Sequence, residues 1–347
     1  MHAPAAAPRL PDVAMMSRRL SRRAVLGAGL ASWLTAALPG QDDAMASGAS
    51  GLAEMIRHPL LAQSLYRLPV SRQYAPDGAA GTNQAGYRWI EEQRQGAEWI
   101  VRGLAQGNAE WIALGWRELD WGLGRQQADG GFASADPFHS TSFFVEALAR
   151  GCLLDRTGAT AARLGGLARA AAWLMRPDAE TKGTKGNLPF THRRYILAAA
   201  LGETAEVTTE PTFARRAEAW AMDGLALQGA DGVNPERGGF DAGYQMVGVL
   251  MALRYLPVCQ NAALVRALKA MIGRAVRREL ARLKPDGSID PEGSTRIRIE
   301  KSRGGELKDV PYGEVMQALV YGAQAMPGPA WLEPARRIAL FRRWMKA

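Results

Sequence analysis

The residues of this chain that can move a proton or hold an anion gather in a few glycine-rich stretches and just after them. His139, His192, Tyr195 and Tyr244 are candidate proton donors and acceptors, while Arg193, Asn187, Gln245, Arg296, Arg298 and Asp241 are candidates for binding a charged ligand. His192 and Tyr195 are three residues apart, which places them on one face of a helix. An imidazole and a phenol beside a guanidinium-bound anion form a kit for taking a proton from carbon and returning one to oxygen. A rival kit needs two carboxylates, for which Asp129, Asp136, Asp241 and Glu300 are candidates. Each residue also has a plainer structural reading. Asp129-Gly130 and Asp231-Gly232 are turn dipeptides, Asp241 can cap a helix, and His139 and His192 can brace helix starts. The four histidines lack H-x-x-x-H spacing and the two cysteines lack C-x-x-C spacing, so no metal or cofactor is expected.

The elements that must position these groups are helices. After residue 46 the apolar residues recur with helical period and no convincing period-two run is present, which predicts an all-α chain. Candidate helices lie near 52–68, 83–106, 108–127, 140–155, 159–175, 190–202, 211–228, 241–256, 262–283, 311–326 and 329–345. Short links join four pairs of them, and longer polar, glycine-rich segments separate the pairs: 128–139, 178–189, 229–240 and 285–310. In an up-down array every second connection falls on the same end, so the long loops share one face. A ring of helical hairpins fits that alternation, and an open solenoid is the other arrangement. The spacing of Thr295-Arg296-Ile297-Arg298-Ile299 predicts a short extended segment with both arginines on one side. The charged loop around it is long enough to act as a lid or a binding element.

The chain has 347 residues, 47% of them hydrophobic, and a net charge of +9. The apolar fraction excludes a disordered protein, and a mean hydropathy of −0.18 excludes a polytopic membrane protein. Residues 17–27 place two Arg-Arg pairs before an apolar stretch ending at Pro39-Gly40, too short to span a bilayer. This resembles a twin-arginine export signal, carried by Ser21-Arg22-Arg23-Ala24-Val25-Leu26, with Ala44-Met45-Ala46 as the cleavage site. It implies the export machinery as a partner, a periplasmic or secreted product without stable membrane insertion, and one mature domain over 47–347. The first 46 residues carry five arginines and three aspartates, a net of +2, which leaves +7 on the mature chain. Export removes nucleic acid as the reason for that charge. Twin-arginine cargo folds before export, so Cys152 and Cys259 are expected as separate buried thiols.

Three stretches resemble the α/α-toroid carbohydrate-active enzymes, which include polysaccharide lyases of the alginate-lyase and heparinase types. They are Gln127-Ala128-Asp129-Gly130-Gly131-Phe132, Phe190-Thr191-His192-Arg193-Arg194-Tyr195, and Gly238-Gly239-Phe240-Asp241-Ala242-Gly243-Tyr244-Gln245. The second is similar to an Asn-His-x-Tyr motif but has Phe-Thr before the histidine and an added Arg. The third is similar to Asp-Gly-x-Tyr-x-Gln with a shifted register. The resemblance implies an incomplete toroid of helical hairpins acting on an acidic, uronate-containing glycan by β-elimination, with His192 and Tyr244 as the preferred proton-transfer pair. A toroid glycoside hydrolase and a non-catalytic glycan-binding solenoid are the alternatives. Terpene cyclisation lacks its Asp-Asp-x-x-Asp run.

Overall fold

The computed structural model describes residues 48–67, 75–326 and 331–341. The export signal expected over residues 1–46 lies outside them. The described residues hold thirteen α-helices, and their only β pairing is isolated bridges. We number the helices α1 (Gly48–Ile56), α2 (Pro59–Gln63), α3 (Gln95–Gln106), α4 (Ala109–Leu123), α5 (Pro137–Leu154), α6 (Ala161–Leu174), α7 (Pro177–Asn187), α8 (His192–Thr208), α9 (Pro211–Leu225), α10 (Tyr244–Tyr255), α11 (Ala262–Leu280), α12 (Tyr312–Ala325) and α13 (Leu332–Leu340). No helix among the described residues is long and apolar enough to cross a membrane.

Local sequence explains the helix ends. Asn108, Thr160 and Asn261 each accept a hydrogen bond from the third residue of the helix that follows. Pro137, Pro177 and Pro211 open three others, where a missing N–H costs nothing. Consecutive helices then pair as the hairpins α3–α4, α5–α6, α8–α9, α10–α11 and α12–α13. The first members, α3, α5, α8, α10 and α12, pack on one another in succession, and α1 and α2 lie between α12 and α3. The result is an inner layer of helices sheathed by an outer one. Inner α8 is buried on nearly all sides, and Tyr195 through Leu201 are almost wholly inaccessible. Outer α4 and α11 bury only one stripe.

A repeated device links the hairpins. Asp77-Gly78, Asp129-Gly130, Asp231-Gly232 and Asp286-Gly287 each turn the chain with the glycine at positive φ, and each aspartate accepts from the backbone N–H two residues on. A Cβ on these glycines would lie 2.4–2.7 Å from the carbonyl oxygen of Arg117, Arg169, Arg274 or Arg337 on an outer helix. These Asp-Gly pairs are therefore structural staples, and Asp129 further accepts from Trp173 and Arg176.

Four expected elements differ. Pro59 divides the first helix in two, and Gly81–Ala85 and Ile90–Arg94 form 3-10 turns before α3. The expected loop over 178–189 is mostly helix α7. Pro177 at its start, Asp178 and Glu180 in its first turn and Lys185 in its last outweigh two internal glycines. Helix α8 continues to Thr208, so only Thr209-Glu210 join it to α9 and the ring gains a fifth tight hairpin.

Candidate active site

All five inner helices point their N-termini to the end of the ring where the long connections 124–136, 188–191, 226–243 and 281–311 meet. These loops brace one another. The Thr191 hydroxyl donates to the Pro235 carbonyl at 2.6 Å, the Thr295 hydroxyl donates to the Glu236 carbonyl at 2.7 Å, and Arg303 reaches across to pair with Glu91 and Glu92. First-turn N–H groups and the helix dipoles give this end a positive bias.

His192, at the start of α8, stands at the centre. Its Nδ1 lies 2.8 Å from Glu236 Oε2, and its backbone N–H donates to Glu236 Oε1 at 2.9 Å. Its Nε2 has no hydrogen-bond partner among the described residues. The Tyr244 ring packs on the imidazole at 4.8 Å between centroids. Arg296 lies over the same phenol, with Cζ 3.5 Å from the ring centroid. Arg296 also comes within 3.5 Å of Glu236 and donates from Nε to Glu300 at 3.1 Å. Lys308 donates to the same Glu300 oxygen at 2.6 Å, and Arg237 Nη2 lies 2.9 Å from its other oxygen. His139, at the start of α5, faces His192 with ring centroids 6.1 Å apart. Arg193 stacks over Phe190 at 4.4 Å and donates to Asn187 at 3.0 Å and to Asp136 at 3.3 Å.

Burial sets the protonation states. Burial pushes Glu236 up to about 8, against the His192 N–H and the charges of Arg296, Arg193 and Arg194. Burial first, then Arg296 and Arg193, holds His192 well below the ordinary imidazole range, and burial with Arg193 does the same to His139. The pair therefore takes its first proton at Glu236 as the pH falls through about 8. Above that pH Glu236 is a carboxylate, Nδ1–H donates to it and Nε2 carries a free lone pair. Burial would raise Glu300 too, but Lys308 and Arg296 outweigh it and keep that carboxylate ionised.

The structure brings His192, Tyr244, His139, Arg193, Asn187, Arg296 and the candidate carboxylate Glu300 into this cluster, and gives Tyr195, Gln245, Asp241 and Arg298 other places. Tyr195 is wholly buried with its ring against Gly224, and Gly248 of α10 lies beside both it and His192. Its approach to Gly248 shows that it shares a helix face with His192, but that face turns into the core one turn below the site. Gln245 is buried and braces the scaffold, accepting from the Asn234 N–H and donating to the Ala275 carbonyl. Asp241 is a backbone cap, accepting from Gly243, Tyr244, Arg296 and Ile297 N–H groups at 2.7–3.1 Å. By drawing in two of those N–H groups it bends residues 295–299, so the extended segment expected there does not form. Arg298 takes φ 60°, with its side chain outward and 3.9 Å from Asp309, while Arg296 turns inward. Asp136 lies at the rim with Arg193. Glu236 and Arg237 were not singled out by sequence, since neither has a spacing that ties it to His192, 44 and 45 residues away.

No known family profile matches the sequence, and no curated protein matches it. Among solved structures, the chondroitin AC lyase of Streptomyces coelicolor A3, determined with chondroitin sulphate, matches with a TM-score of 0.53 at 16% identity, over 86% of this chain and 42% of its own. An unsaturated glucuronyl hydrolase from Bacillus sp. GL1 matches with a TM-score of 0.50 at 14% identity, over 85% of this chain and 82% of its own. The fold is an α/α toroid. This chain spans well under half the length of the chondroitin lyase, and at these identities the likeness concerns fold alone. The toroid's inner-helix N-termini are thus what places His192 and Tyr244 in its mouth.

Proposed function

We propose that the protein is an exported polysaccharide lyase that cleaves a uronate-containing glycan by β-elimination. The observation that carries this reading is the stack of Arg296, Tyr244 and His192, with Glu236 behind the imidazole. Arg296 holds the uronate carboxylate, which makes the proton on C5 more acidic. His192 takes that proton at Nε2, and Glu236 stabilises the imidazolium formed. The electron pair of the C5–H bond becomes the C4=C5 double bond as the C4–O bond breaks. The Tyr244 hydroxyl gives its proton to the departing oxygen. The imidazolium proton then returns to the tyrosinate, and the enzyme regains its starting state.

The carboxylates support the lyase over the hydrolase. Glu236 is committed to His192 and Asp241 to four backbone N–H groups, so a Glu300 released from its cations has neither of them as a partner. A hydrolase needs two carboxyl groups free to face the glycosidic bond. The resemblance of the first 46 residues to an export signal supports the place of action, and the positive charge and the fold of the two solved enzymes support the substrate class.

Incubation with alginate, glucuronan and chondroitin tests the reading, through the ultraviolet absorbance of the conjugated C4=C5 product. Tyr244→Phe should lose about a hundredfold or more in kcat, whereas Tyr195→Phe should retain near-wild-type activity. New reducing ends without that absorbance would establish hydrolysis instead.

A further inference from the structure

We propose that Glu300 holds the place of the substrate's own carboxylate, so that Arg237, Arg296 and Lys308 form the anion pocket of the site and Glu300 is its internal plug. This deepens the lyase reading and rests on it for the identity of the anion as a uronate.

Three cations converge on one carboxylate. Arg296 Nε and Lys308 Nζ reach Glu300 Oε2 at 3.1 and 2.6 Å, and Arg237 Nη2 reaches Oε1 at 2.9 Å. With Glu236 ionised, two carboxylates face the three cations, a surplus of one positive charge that rises to two once Glu300 turns away and so favours a further anion. The cations come from two different long loops. Arg237 is held at φ 51°, a left-handed conformation that is costly for a residue with a Cβ, and its N–H donates to the Pro189 carbonyl.

The pocket also lies where the chemistry requires it. Arg296 Cζ and Lys308 Nζ are 3.5 and 5.2 Å from the centroid of the Tyr244 ring. In a uronate the carboxylate is bonded directly to the carbon that loses its proton. A carboxylate seated where Glu300 now sits would therefore hold that carbon beside Tyr244 and His192. The Glu300 side chain keeps 15% of its surface exposed at the mouth, and vacating the pocket requires it to turn toward solvent by rotation about its own side-chain bonds.

Binding of D-glucuronate, with D-glucose as the neutral control, tests this by NMR titration of the full chain and needs no turnover. Glu300→Gln keeps the shape and removes the competing charge. It should bind glucuronate about tenfold more tightly than the wild type, with no change for glucose. Arg237→Met, at a side chain more than half exposed, should weaken glucuronate binding about threefold or more while leaving the thermal midpoint unchanged. If Glu300 is instead a brace that orients Arg296 and Lys308, Glu300→Gln will bind glucuronate no better than the wild type or worse, and the proposal falls. Should Glu300→Gln fail to fold, wild-type affinity in Arg237→Met overturns it equally. A wild type that yields no unsaturated product from any polyuronate, but whose Glu300→Gln variant gains glucuronate affinity, would sink the lyase reading and leave this pocket standing.

Discussion

Replacing Arg296 with Met keeps an unbranched side chain over Tyr244 but removes the positive charge that faces the Glu236–His192 pair. Arg296 Nη1 lies 3.5 Å from Glu236 Oε2, and both groups are buried. At an effective dielectric constant near 20, Coulomb's law gives about 5 kcal/mol for unit charges at that distance, or roughly 3.5 pH units. Water entering the vacated space will screen part of this, so a shift of one to two units is expected. The sign is fixed by chemistry. The base is competent only while Glu236 is a carboxylate and Nε2 is unprotonated, and Glu236 takes up a proton as the pH falls through about 8. Wild-type kcat/KM should therefore be full above about pH 8 and be lost below it. In Arg296→Met that acidic limb should move to higher pH, whatever the loss in absolute rate. The measurement is kcat/KM from about pH 6 to 10, read from the unsaturated product. Glu236→Gln serves as the companion, since it should abolish this limb and leave only the titration of His192, held far lower by burial. An acidic limb at the same pH in Arg296→Met and wild type would refute the assignment of Glu236 and His192 as one proton-holding pair.

Three further outcomes follow from the scaffold. Burial pushes Glu118 up to about 8 from an unfolded value near 4.5, so its folding cost grows as the pH rises through that window. Glu118→Gln should stabilise the protein by roughly 2–3 kcal/mol at pH 7 and flatten its stability between about pH 5 and 8, measured by urea unfolding. Gly232 and Gly238 share φ 84°, but a Cβ on Gly232 would meet the Arg274 carbonyl oxygen at 2.7 Å while one on Gly238 meets nothing within 4 Å. Gly238→Ala should cost about 1 kcal/mol and Gly232→Ala at least about 2 kcal/mol more; equal costs would show that the staple carries no packing constraint. Arg303→Ala breaks the bridge to Glu91 and Glu92, and tryptic cleavage after Arg298, Lys301 or Lys308 should accelerate about tenfold.

Local signals in the sequence are enough to reveal the helices, their caps, the short and long connections in alternation and the Asp-Gly turns. Each is written within a few neighbouring residues, and the up-down rule then places the long loops on one face. What such signals cannot carry is direction within a helix that is buried all round. Helix α8 is apolar on nearly every side, so the spacing of His192 and Tyr195 indicates a shared face, but not that the face leaves the site for the core after one turn. Tyr244 takes the role in the proposed mechanism because it begins α10 at the mouth of the ring. Arg296 and Arg298 look alike as residues two apart, and only the Asp241 carboxylate, 55 residues earlier, bends the chain so that one enters the site and the other leaves it. Glu236 is joined to His192 across 44 residues by the packing of one loop against one helix end. By itself the sequence determined an array of helices with its long connections gathered at one end, and left a closed ring and an open solenoid both possible. The tertiary structure alone decided which side chains share a hydrogen bond or a stack, because those contacts depend on distances between elements remote in the chain.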